Sequence, residues 1–143
     1  MEKYDNIKLD NQLCFSLYAA SREVIKLYKP CLDKYNLTYT QYIAMLVLWE
    51  DEKSTVKGIG NRLHLDSGTL TPLLKKLENM ELIKRYRDEN DDRVVIVELT
   101  EKGRELKEEI LGVPGQILCK VKMTKEEAIE LKESLDELLK NLE

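Results

Sequence analysis

Histidine, phenylalanine and tryptophan occur once each in 143 residues, and cysteine and proline three times each. The single histidine, His64, closes a short helical stretch beside no candidate nucleophile, so Ser–His–Asp chemistry finds no support. The three cysteines, Cys14, Cys31 and Cys119, are odd in number and widely spaced. That excludes a secreted disulfide framework, and without a C-x-x-C pair or a local chelate with His64 it argues against a metal site. No phosphate loop or nucleotide fingerprint is present. The chain is therefore expected to be no enzyme and to carry no cofactor. The longest unbroken apolar run, Tyr42 to Trp49, falls far short of the ~20 residues that span a bilayer. Met1 to Asp10 is polar and charged, unlike a secretory leader. A soluble, cytoplasmic protein with no membrane partner is the expectation. Apolar residues make up 43% of the chain, enough for a core, and the length suits one domain.

Charge is unevenly spread. The net value of −4 argues against nucleic acid, but the distribution argues for it. Residues 53–87 hold eight Lys/Arg against three Asp/Glu, whereas residues 100–143 hold eight against eleven. A basic middle segment in an acidic chain fits a phosphate footprint. A solvated helix face is the alternative on charge alone.

Periodicity places the elements. Leu9, Leu13, Leu17, Val24 and Tyr28 recur at helical spacing, with Asp10 as the expected N-cap and Pro30 as the expected interruption. A second helix is expected from near Thr40. Its run Tyr42–Trp49 has the Ala, Met and Leu content of a buried helix rather than a strand. Glu50 to Ser54 reads as a loop. Thr55 to His64 reads as a short helix, Leu65-Asp66-Ser67-Gly68 as a capped turn, and Thr69 to Met80 as a helix with Leu70, Leu73, Leu74 and Leu77 inward. Pro72 is expected in its first turn. Leu82 to Arg87 and Arg93 to Leu99 read as strands of a hairpin about the charged turn Asp88–Asp92. Thr100 starts a helix to about Leu111, which Gly112-Val113-Pro114-Gly115 breaks. Thr124 and Glu127 form a capping box, and Leu131, Leu135, Leu138 and Leu142 make a seam for another helix.

Two short helices joined by a tight turn, followed by a hairpin with a charged tip, compose a winged helix-turn-helix. The fold class is mainly α with a small β-hairpin. The second helix suits a major groove, which admits one α-helix. With its leucines inward, Ser67, Thr69, Thr71, Lys75 and Lys76 fall on the outer side, where hydroxyls and lysines suit base edges and phosphates. Arg93 is placed to enter the adjacent minor groove, with Arg85 and Arg87 near phosphates. A helical packing module with a hairpin is the alternative.

Asp91-Asp92-Arg93 followed by Leu99-Thr100-Glu101-Lys102-Gly103 resembles the wing signature of the MarR winged-helix regulators. The segment Leu65–Lys75 resembles the recognition helix of the organic hydroperoxide resistance regulators. Asn11–Phe15, Tyr28-Lys29-Pro30 and Leu37–Tyr42 resemble that subfamily's sensor region. The resemblance covers residues 9–115 well and the last helix loosely. It implies a single domain over 1–143, with dimerisation helices at 1–35 and 101–143 around a winged helix-turn-helix DNA-binding region at 36–100. It implies a homodimer acting as a repressor on a palindromic double-stranded operator, with Asp91 and Arg93 in the DNA-binding wing. It also implies that oxidation of Cys14 by an organic hydroperoxide releases the DNA.

A lone helical cysteine is most often a small buried hydrophobe, and Cys31 is read so. For Cys14 the resemblance reverses that reading. A thiolate attacks a peroxide to give a sulfenic acid, and a helix N-terminus favours an anion. The resemblance makes Tyr28 and Tyr39 the thiolate-stabilising hydroxyls; Tyr18, one turn from Cys14, is a further pocket candidate. It also makes Cys119 a possible resolving partner for Cys14 of the other subunit; otherwise a small cellular thiol caps the sulfenic acid. Two other readings stand beside this one: release by a small phenolic ligand with Cys14 a bystander, and a thiol peroxidase.

Overall fold

A computed structural model describes residues 2–143. The elements run α1 (Leu13–Leu32), α2 (Tyr39–Asp51), β1 (Lys53–Thr55), α3 (Val56–Leu63), α4 (Ser67–Asn79), β2 (Ile83–Arg87), β3 (Val95–Leu99), α5 (Glu101–Glu109), α6 (Val113–Lys120) and α7 (Lys125–Asn141). The fold is the mainly helical, winged helix-turn-helix class expected. The chain divides into two compact units, one of residues 29–112 and one of residues 1–28 with 113–143.

The unit 29–112 holds most of the core. Thr38 caps α2 in a capping box with Gln41, so the helix starts at Tyr39. It continues through Asp51, where a loop was expected. Met45 and Leu48 of α2, Ile59 of α3 and Leu74 and Leu77 of α4 are fully buried together with Val97 of β3. The sheet order is β1-β3-β2, all antiparallel. Strand β1 is an addition to the expected hairpin. Lys53-Ser54-Thr55 has no apolar alternation, and its pairing is long-range, Lys53 opposite Glu98. The wing closes where the Asp88 amide donates to the Val94 carbonyl at 2.9 Å and the Val94 amide to the Asp91 carbonyl at 3.0 Å.

Both prolines read as helix punctuation lie elsewhere than expected. Pro30 does not end α1, which runs on to Leu32. A proline near the last turn deprives only one carbonyl, here that of exposed Lys26, of its partner. Pro72 lies in the second turn of α4, because the N-cap is Asp66, whose carboxylate accepts from the Thr69 amide at 2.8 Å. The carbonyl deprived of a partner belongs to Gly68, which is exposed to water. The break expected at 112–115 is short: Pro114 and Gly115 lie in the first turn of α6.

In the other unit, α7 begins with the expected capping box of Thr124 and Glu127. None of its residues is buried in the single chain. Leu131 is 50% and Leu142 73% exposed, and on α1 Leu13 is 76% exposed. Asp10 lies in a 3₁₀ turn, Leu9–Asn11, ahead of α1 rather than at its cap.

Candidate nucleic-acid interface and thiol site

Helix α4 sorts its residues by face. Leu70, Leu73, Leu74 and Leu77 are buried, while Ser67, Thr69, Thr71, Lys75 and Lys76 are all exposed. The Asp66 cap sets the start of the helix. Hydrogen bonds from the Thr69 and Gly68 amides hold its carboxyl below the usual carboxylate range. The exposed face combines short hydroxyls with two flexible ammonium groups, a set that suits base edges and phosphates.

The wing arranges its arginines differently from one another. At the tip, Arg93 forms a fork with Asp91: Nε donates to Oδ1 at 3.1 Å and Nη2 to Oδ2 at 3.2 Å. The Arg93 amide also donates to Asp91 Oδ1 at 3.0 Å. These bonds hold the Asp91 carboxyl low. The Arg93 side chain is nonetheless 90% exposed, so its cation projects from the tip. Arg87 donates from Nη1 to the Asp92 carbonyl at 2.6 Å, bracing the turn. Arg85 faces Glu78 of α4 instead of solvent.

Between α3, α4 and the wing lies a cleft of about 740 Å³, walled in part by Lys57, Asn61, Ser67, Thr71, Arg85 and Arg93. It brings the α4 N-terminal residues and the wing cation together. Sequence reasoning did not single out Lys57 and Asn61. Their four-residue spacing puts both on the polar side of α3, the signal that sequence alone offers.

The residues expected to sense peroxide sit as follows. Cys14 is exposed and is the second residue of α1, in its first turn. The Gln12 side chain donates to the carbonyls of Asn6 and Lys8, both at 2.8 Å, and ties the preceding 3₁₀ turns to the helix start. Tyr18 is exposed, its hydroxyl accepting from Arg22 Nη1 at 2.9 Å. Tyr28 is half-buried on α1, and Tyr39 is half-buried as the first residue of α2. Burial pushes the Tyr39 phenol above its ordinary pKa, which keeps it a proton donor at neutral pH. Cys14 and Tyr28 lie fourteen positions apart on unbroken α1, ~21 Å at a rise of ~1.5 Å per residue. A tyrosine cannot bridge that distance within its own chain. Cys119 is exposed in the last turn of α6, and Cys31 is buried. No disulfide joins the three cysteines. Among the described residues no three His, Cys, Asp or Glu side chains gather as a metal site would require.

Known proteins share this layout. The profile of the SarA/Rot transcriptional regulators matches residues 26–110. The organic hydroperoxide resistance transcriptional regulator of Bacillus subtilis (strain 168) is 54% identical, over 98% of this chain and 95% of its own. The structure of reduced AbfR bound to DNA superposes with a TM-score of 0.80 at 36% identity, covering 99% of both chains. Disulfide-formed AbfR gives 0.68 at 36% identity, covering 96% of both. Named relatives of this kind are transcriptional regulators. With its capped recognition helix, three-stranded wing and cysteine at the head of α1, the chain belongs to the MarR-type winged-helix family of transcriptional regulators, on its organic hydroperoxide resistance branch.

Proposed function

We infer that this protein is a cytoplasmic, homodimeric repressor that binds a palindromic double-stranded operator and releases it when an organic hydroperoxide oxidises Cys14. The observation that carries the reading is Cys14 itself, exposed in the first turn of α1. A solved relative of 36% identity exists both reduced on DNA and as a disulfide, which supports it. On DNA, Ser67, Thr69, Thr71, Lys75 and Lys76 meet the major groove. Arg93, oriented by Asp91, enters the minor groove, and Arg87 braces the wing beside the phosphates.

The chemistry is a two-electron oxidation. The Cys14 thiolate attacks the terminal peroxide oxygen, the O–O bond breaks, and the alkoxide leaves and takes a proton to become an alcohol. Sulfur ends as a sulfenic acid. Hydroxyls of Tyr28 and Tyr39 stabilise the thiolate while leaving apolar room for the organic group. Since Tyr28 cannot reach Cys14 along its own helix, the dimer supplies that hydroxyl from the partner protomer. The Cys119 thiolate of the other subunit then attacks the sulfenic sulfur, the S–O bond breaks, and hydroxide departs as water. A disulfide needs Cα atoms within ~7 Å, so closing it moves helices that carry the two recognition elements, and both half-site contacts fail together.

The test is a gel shift on DNA upstream of the protein's own gene, with and without an organic hydroperoxide. Wild-type protein is expected to bind and then release. Cys14→Ser is expected to stay bound, and release by that variant refutes the sensor role. Cys119→Ser is expected to lose the dimer band on a non-reducing gel; persistence of that band removes Cys119 from the mechanism.

A further inference from the structure

A charged pair, Glu78 and Arg85, joins the recognition helix to the wing. Glu78 lies near the end of α4 and Arg85 in the middle of β2, opposite Val97. The strand order leaves β2 with one edge open. The Arg85 amide points off that edge and donates to Glu78 Oε2 at 3.1 Å. The Arg85 guanidinium donates from Nη2 to the other oxygen, Oε1, at 3.0 Å. A single carboxylate therefore caps an edge-strand amide and grips the side chain of the same residue, which fixes it in direction as well as distance. Arg85 hydrogen bonding and charge hold the Glu78 carboxyl below the usual range.

An arginine that meets a phosphate must offer its fork to solvent. The Arg85 side chain is only 23% exposed, against 90% for Arg93. Arg85 also walls the cleft between α4 and the wing. We propose that Glu78 and Arg85 form a strut that sets the angle of the wing against the recognition helix. They are positioning residues that determine the spacing between the major-groove and minor-groove contacts, and Arg85 does not itself bind phosphate. Nearby bonds, Thr100 Oγ1 to the Glu81 carbonyl at 2.6 Å and Lys102 Nζ to the Met80 carbonyl at 3.0 Å, tie the α4–β2 turn to α5. The strut ties the helix to the wing strand itself. Its role in spacing rests on the reading that α4 and the wing bind DNA.

Two measurements on the full-length dimer test it. In the first, amide hydrogen exchange without DNA compares wild type with Glu78→Ala. The strut requires at least about tenfold faster exchange at Arg85 and along β2, with the α4 amides unchanged. Unchanged β2 exchange overturns the proposal whether or not the protein binds DNA. In the second, Glu78→Gln, Arg85→Gln and the double variant are footprinted on the upstream DNA. Each single variant is expected to bind about tenfold more weakly, and the double no worse than either, as for coupled residues. Hydroxyl-radical protection under the wing is expected to fade while methylation protection under α4 persists. If Arg85→Gln weakens binding and Glu78→Gln leaves it unchanged or tighter, Arg85 touches phosphate directly and the strut is refuted. Failure of the wild type to bind overturns the DNA reading, leaving the exchange result to decide the strut. Loss of both protections with a lowered melting temperature marks unfolding; Arg85→Lys, which keeps the charge, must then restore wing protection or the proposal falls.

Discussion

A single atom explains why the wing signature ends in glycine. At Gly103 a Cβ would run into the Leu82 carbonyl oxygen and crowd Leu99 Cδ2. The Gly103 carbonyl also accepts from Trp49 Nε1 at 2.9 Å, binding α5 to α2. Gly103→Ala is therefore expected to destabilise the fold by about 1–3 kcal/mol, in the range of overpacked sites, measurable as a lower urea midpoint. Arg93 carries a different kind of weight, because its exposed cation contributes nothing to packing. Arg93→Ala should leave the urea midpoint unchanged and weaken operator binding by about 1–3 kcal/mol. Asp91→Ala should weaken binding less, since Arg93 keeps its charge and loses only its orientation. Equal affinity for wild type and Arg93→Ala in a gel titration would remove the wing tip from the interface. Both residues were visible in the sequence as parts of a motif. The fork between them was not, because two residues of turn can be closed in several ways and the hydrogen bonds at the tip select one.

At the scale of elements, caps account for most of the boundaries that sequence reading placed well. Thr38, Asp66, Thr100 and Thr124 each accept an amide hydrogen bond from three residues on. Asp66→Ala is expected to cost about 1 kcal/mol, a usual value for an N-cap, and urea denaturation reads it. The Glu78–Arg85 pair has a signature in pH. Its carboxyl pKa is lowered from an ordinary 4.5 by Arg85, so its contribution to stability is complete above that value. It is lost as pH falls through the lowered one. The melting-temperature gap between wild type and Glu78→Gln should thus be constant at neutral pH and begin to close only as pH falls below the ordinary 4.5. A gap that persists in acid would detach the carboxylate from the effect. The misplaced boundaries share a cause. Asp10 and Pro30 offered sound local signals, but the neighbouring backbone satisfied itself otherwise: Gln12 bound the turns before α1, and water is open to the carbonyl that Pro30 deprives of a partner.

For the whole molecule, the apolar seam of α7 and the exposed face of α1 are the features that a single chain leaves unsatisfied. Leu131 and Leu139 of the last helix and Leu142 at its C-cap are each at least two-fifths exposed, a surface that water disfavours at about 25 cal/mol per Å². Leu131→Glu combined with Leu142→Glu is expected to shift the protein to a monomer in sedimentation velocity and to abolish high-affinity operator binding together. A stable dimer from that variant would place the interface elsewhere. The sequence by itself determined the class of fold, the inward leucines of α4, the caps and the motifs that name the family, because periodicity, capping and turn chemistry act over a few residues. Tertiary structure alone decided the third strand, the pairing of Arg85 with Glu78, the cleft that Lys57 and Asn61 help to wall, and the run of α1 past Pro30. The strand, the pair and the cleft depend on residues brought together across turns or from far along the chain, and the helix on a proline tolerated near its end; local preference is silent on both.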